Sequence, residues 1–269
     1  MLYYLFHRKE KSAMTVNRRQ LIKGVSVSAA MLALSPYASA STELTAFKAT
    51  EYSNTDIINA GIGGNNTTEM LARLEKDCLA HRPKLTILMA GTNDMNSVKH
   101  VPLAQYEESM NQLARLIMKN GSKLLIMTIL PIYEPYLLTR HPASFYQPEG
   151  VAVRRQQVNE VIKKVAKAHR AHLLDMGSRF EAIGKIGLDK DSLIQNEANA
   201  DKTDGIHPTA NGYRFIGLSV YDYITAHRLP TEKVVCFGDS ITKGDGSNNN
   251  NSYPGFLYKL LTVNTDEQG

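Results

Sequence analysis

Between residues 56 and 262, short apolar runs alternate with longer stretches in which apolar side chains recur at helical spacing, and this leaves the chain few folds to choose from. The short runs, 56–59, 85–90, 123–130, 172–176 and 233–237, are each bounded by turn residues and predict strands. The longer stretches, 67–81, 103–120, 151–169, 210–227 and 253–262, predict helices. In the second of these Leu103, Tyr106, Met110, Leu113 and Ile117 mark one face, and Asn120-Gly121 supplies the stop. Strands so continuously apolar must be covered on both sides, so the pattern predicts an α/β domain, a parallel sheet between two layers of helices. Two regions break the rhythm. Residues 131–150, with Pro131, Pro135, Pro142 and Pro148, predict an irregular loop after a strand end, a place for a substrate-binding wall. Residues 244–252, which include four consecutive asparagines, predict a polar loop.

Four segments fall at strand ends or just before a helix, where open parallel sheets bind ligands. Gly238-Asp239-Ser240 follows the last strand and can present a hydroxyl above the sheet edge; alone, a serine after Gly-Asp is more often a turn residue. Asp204-Gly205-Ile206-His207-Pro208 puts a carboxylate three residues before an imidazole. It can hold one ring nitrogen and leave the other free to take a proton, although the same residues can simply make an Asx turn. None of the other seven histidines has that setting. Asn59-Ala60-Gly61-Ile62-Gly63-Gly64 lets backbone amides approach a ligand, and the Lys-Ser/Thr of a phosphate-binding P-loop is missing. Gly91-Thr92-Asn93-Asp94 offers the neutral amide of Asn93 to a developing negative charge.

Together these segments resemble the SGNH (GDSL-like) hydrolase family, whose serine, glycine, asparagine and Asp-x-x-His blocks they match over essentially all of residues 41–269. The resemblance implies a three-layer α/β/α flavodoxin-like fold with a parallel five-stranded sheet. It also implies a serine ester hydrolase in which Ser240 is the nucleophile, His207 the general base and acid, and Asp204 the carboxylate that orients it. Ser240 N–H, Gly64 N–H and the Asn93 side chain would form the oxyanion hole, with no metal or organic cofactor. The substrate expected is a small-molecule or glycan ester: a carbohydrate O-acetyl ester or short acyl ester first, a lipid acyl ester second. A non-catalytic glycan-binding protein on the same fold is a further reading.

One departure from the family pattern is large, because the serine block comes last here and first in the family. A circular permutation accounts for it: the helix at 210–227 would run back along the sheet and residues 229–232 would turn into the serine strand. The alternative is a second, truncated domain beginning at Lys233, which would leave the first without a central strand.

The formal charge of +5 resides in residues 1–40, where six cations stand against Glu10 alone, so the remainder is balanced and nucleic-acid binding is not expected. Those forty residues read as a signal peptide: a basic stretch to Lys23, an apolar run over 24–34, then Pro36 and Ala38-Ser39-Ala40. Asn17-Arg18-Arg19-Gln20-Leu21-Ile22-Lys23 resembles the twin-arginine consensus, implying a bacterial protein exported folded, to the periplasm or beyond, starting at Met1 or Met14. The apolar run is far short of the ~20 residues of a spanning helix, so no stable membrane span is expected after cleavage. Cys78 and Cys236, the only cysteines, lack metal-ligand spacing, and their pairing is left open.

Overall fold

In the computed structural model, which describes residues 55–245 and 251–262, the five apolar runs are five parallel strands. They are β1 (Asp56–Gly61), β2 (Leu85–Met89), β3 (Lys123–Met127), β4 (His172–Leu174) and β5 (Lys233–Gly238). The long helices are α1 (Thr67–Asp77), α2 (Leu103–Lys119), α4 (Val151–His169), α7 (Ala210–His227) and α9 (Tyr253–Thr262). Four shorter ones, α3 (Glu134–Leu137), α5 (Met176–Ile183), α6 (Glu197–Ala200) and α8 (Ser240–Lys243), sit in the connections. The signal-peptide reading of residues 1–40 and the centre of the asparagine loop lie outside the described residues.

The strand order is β1-β5-β2-β3-β4. The last strand in the chain therefore lies between the first two, with Ile57 opposite Val234 on one side and Leu85 opposite Val234 on the other. Successive strand side chains face opposite sides of the sheet, and the two cores follow that alternation. Leu88, Leu124, Ile126, Val235 and Phe237 pack with α1, α2 and α4. Leu85, Ile87, Leu125, Met127, Val234 and Cys236 pack with α5, α7 and α9. The inner strands β2, β3 and β5 are buried on both faces, as their continuously apolar runs require.

Three local differences from the sequence reading have physical reasons. The helix read over 67–81 ends at Asp77 and continues as a 3₁₀ turn at Leu79–His81. The strand read over 172–176 stops at Leu174, because Asp175 caps α5 by accepting the Ser178 N–H and turns the chain away from the sheet edge. Residues 131–150 are less irregular than expected: they hold α3 and a 3₁₀ turn at Ala143–Tyr146, pinned by the buried side chains of Tyr136, Leu137 and Tyr146.

Candidate active site

The carboxyl ends of β1, β5 and β2 lie side by side, and each carries one of the segments singled out from sequence. At the end of β5 the chain turns sharply: Asp239 caps α8 by accepting the Ile241 N–H at 2.9 Å, and Ser240 becomes its first residue. Gly238 is required by that turn, since a Cβ there would meet Thr242 Oγ1 at 2.1 Å and the Met89 carbonyl at 2.6 Å. Ser240 is nearly buried, and its Oγ lies 3.0 Å from His207 Nε2.

His207 comes from the loop before α7. Its Nδ1 is 2.8 Å from Asp204 Oδ2, while Asp204 Oδ1 accepts the backbone N–H of Ile206 and of His207 at 2.8 and 2.7 Å. Burial by itself would push the Asp204 carboxyl up, but the His207 hydrogen bond and charge, with the two backbone donors, outweigh it and bring it down to about 2. The loop is braced from two directions. Gln195 N–H donates to the His207 carbonyl and Gly205 N–H to the Gln195 carbonyl, at 2.8 and 3.0 Å. From the proline-rich segment, Tyr133 N–H donates to the Gly205 carbonyl at 2.8 Å, and Arg140 donates to the Thr203 and Asp204 carbonyls at 2.9 and 2.5 Å.

Three donors belong to the segments that follow β5, β1 and β2. Gly64, with φ of +76°, lies in the loop after β1, and neither its N–H nor that of Ser240 has a hydrogen-bond acceptor among the described residues. Asn93 follows β2, where its Nδ2 donates to the Asn65 carbonyl at 2.9 Å and lies 3.5 Å from Asp239 Oδ2. Hydroxyl, imidazole and carboxylate in line can transfer a proton away from the hydroxyl. Free backbone N–H groups and a neutral amide can stabilise an oxygen that gains negative charge. Among the described residues no group of three or more His, Cys, Asp or Glu side chains could hold a metal ion.

The structure thus brings Ser240, His207 and Asp204 into one hydrogen-bonded line and sets Gly64 and Asn93 in the loops that follow the two strands flanking the serine strand. Cys78 and Cys236 are free thiols, both buried, and burial pushes Cys236 up to about 12. The sequence reading missed Arg73 and Arg140. Arg73 stands three residues after Met70 and directly before Leu74, both buried, so helical spacing places it at the border of the covered face of α1. That border position is the only local signal. For Arg140 there is none, because its acceptors belong to another loop.

A sequence profile of the GDSL-like Lipase/Acylhydrolase family matches residues 27–215, a span that holds the glycine, asparagine and Asp-x-x-His segments and ends before Ser240. The chain is 30% identical over 187 residues to the uncharacterized lipoprotein YqeF of Bacillus subtilis (strain 168), covering 65% of this chain and 76% of that one. It is 26% identical over 160 residues to platelet-activating factor acetylhydrolase IB subunit alpha1 of Homo sapiens, covering 58% of each. With the acetylxylan esterase of Geobacillus stearothermophilus the figures are 24% over 168 residues, 60% of this chain and 68% of that one. Among solved structures, an acetyl xylan esterase, AlAXEase, superposes with a TM-score of 0.50 at 21% identity, covering 61% of this chain and 79% of that one. The protein belongs to the GDSL-like lipase/acylhydrolase family of SGNH hydrolases, and is an esterase or acylhydrolase of the α/β type.

Proposed function

We propose that the protein hydrolyses acetyl or other short acyl esters through a Ser240-His207-Asp204 triad. The observation that carries this reading is the 3.0 Å approach of Ser240 Oγ to His207 Nε2 while Asp204 holds the opposite ring nitrogen at 2.8 Å. His207 Nε2 takes the hydroxyl proton as Oγ forms a bond to the ester carbonyl carbon. The carbonyl oxygen, now negative, is held by the Ser240 and Gly64 N–H groups and by Asn93 Nδ2, whose 3.5 Å contact to Asp239 is the weaker of its two and the one exchanged. The imidazolium returns its proton to the leaving alcohol, and the acyl group stays on Ser240. Water, deprotonated by His207, attacks the acyl carbon, and Ser240 leaves with the proton.

An acetyl group is favoured because it appears in the names of two relatives, an acetylxylan esterase and a platelet-activating factor acetylhydrolase subunit. Of the two alcohols, a carbohydrate is preferred, in keeping with the export signal read in residues 1–40 and a periplasmic or secreted location. We further read the fold as a circular permutation of the family pattern, supported by the parallel pairing of β5 with both β1 and β2 and by a profile match that stops short of Ser240.

The test is Ser240→Ala, which should lower ester hydrolysis by on the order of 10⁴ or more. Hydrolysis at the parental rate would reject the triad, and failure of an organophosphonate to label Ser240 would favour the non-catalytic reading. A panel of acetylated sugars against p-nitrophenyl esters of increasing chain length separates the substrates; a rate that rises with chain length would overturn the carbohydrate assignment in favour of lipid.

A further inference from the structure

We propose that Arg73 is the positioning residue of the oxyanion hole, holding the Gly64-Asn65 loop, and through it the Asn93 amide, in register with Ser240. The inference rests on the catalytic reading above. The Arg73 side chain is 12% exposed, and its guanidinium lies over the Phe237 ring, 4.4 Å from the centroid. It makes four hydrogen bonds. Nη1 donates to the Ala60 carbonyl at 2.9 Å and to Asp77 Oδ2 at 3.3 Å, Nη2 to the Gly238 carbonyl at 2.8 Å, and Nε to Asn65 Oδ1 at 2.6 Å.

Those acceptors belong to different parts of the site. Ala60 is the last residue but one of β1, Gly238 closes β5 two residues before Ser240, and Asn65 adjoins Gly64. The Asn65 carbonyl in turn accepts from Asn93 Nδ2 at 2.9 Å, so the network runs from the serine strand through Arg73 and Asn65 to the Asn93 amide. A carboxyl-terminal strand carbonyl has no neighbour to continue the ladder, and burying it unpaired costs free energy. Pairing alone would not call for a cation, since the Ile62 N–H already reaches the Gly238 carbonyl at 3.1 Å. What the guanidinium adds is a rigid, planar fork of five donors that spans two strand ends and a loop side chain at fixed angles. A lysine ammonium, a point donor on a flexible stem, cannot span them together. Burial lowers the guanidinium pKa, and the hydrogen bond and charge of Asp77 oppose it.

The experiment compares Arg73→Lys, Asn65→Ala and Asn93→Ala, alone and with Arg73→Lys built into Asn93→Ala, using p-nitrophenyl acetate, with thermal melts to establish folding. Arg73→Lys should lower kcat by about 10- to 100-fold while KM stays within about threefold, as expected for a misplaced transition-state donor. Asn65→Ala leaves the strand-end bonds intact and should lower kcat by about tenfold, which keeps the idea testable if Arg73→Lys fails to fold. In the Asn93→Ala background the cost of Arg73→Lys should shrink at least about threefold, because the two act in series. An unchanged kcat in folded Arg73→Lys or Asn65→Ala, or the same factor in both backgrounds, overturns the proposal. If Asn93→Ala and Ser240→Ala also hydrolyse normally, the catalytic reading falls with it; if they are slow while Arg73→Lys and Asn65→Ala are not, only the role of Arg73 is lost.

Discussion

Asp239 and Asp204 stand beside Ser240 and His207, and their surroundings push them in opposite directions. Asp239 is 1% exposed, and burial raises its carboxyl to about 6 against the backbone hydrogen bond from Ile241 and the charge of His207. Its folded value exceeds the ordinary 3.8, so in the window between them the native state keeps a proton that the unfolded chain has released. Stability from this group is therefore full below that window and lost as pH rises through it, by about 3 kcal/mol in all. Asp239→Asn should abolish that loss: urea denaturation at about pH 4 and pH 7 should show the variant gaining on the parent by about 2 kcal/mol, and parallel pH dependences would refute the burial argument. Asp204 has the reverse sign. Its folded value of about 2 lies below 3.8, so its contribution is present above 3.8 and lost as pH falls through 2. Asp204→Asn preserves shape but releases the His207 tautomer, and kcat should fall by on the order of 10⁴ in steady-state assays with the fold intact.

At the level of elements, the turn from β5 into α8 is a tightly packed joint near the site. Gly238→Ala would drive a methyl group into Thr242 Oγ1 and into the Met89 carbonyl of β2, a buried strand with no room to retreat. A loss of about 1–3 kcal/mol or more is expected, read as a lowered melting temperature together with reduced activity. An unchanged melt would mean that the turn is looser than described. The strands and long helices could be read from sequence because local periodicity determines them, and α4, α7 and α9 begin and end where the pattern does. Helix α5 was hidden because its first residue, Met176, falls inside the run read as a strand and its eight residues repeat the helical period too few times to stand out. Ser240, His207 and Asp204 were legible because each sits in a short motif of turn residues. Arg73 was not, since an arginine on an amphipathic helix ordinarily reads as solvated. What buries it is Phe237, distant in the chain.

For the molecule as a whole, β5 is the strand that joins the sheet. Among the described residues β1 pairs with no other strand, and β2 would lose one of its two neighbours without it. A chain ending at Glu232 should therefore aggregate or remain unfolded by circular dichroism, and a soluble, cooperatively melting remainder would count against a single permuted domain. A rearranged chain placing residues 233–262 ahead of residue 55 through a flexible linker should fold and retain esterase activity. The position of β5 also has a temporal side. During synthesis the outer strands, the glycine loop and the histidine loop all leave the ribosome before the segment that must settle between β1 and β2, and pairings between such distant segments are slow to form. On the proposed assignment hydrolytic competence then waits for β5, and a polypeptide terminated before it carries His207, Gly64 and Asn93 but lacks the Ser240 hydroxyl.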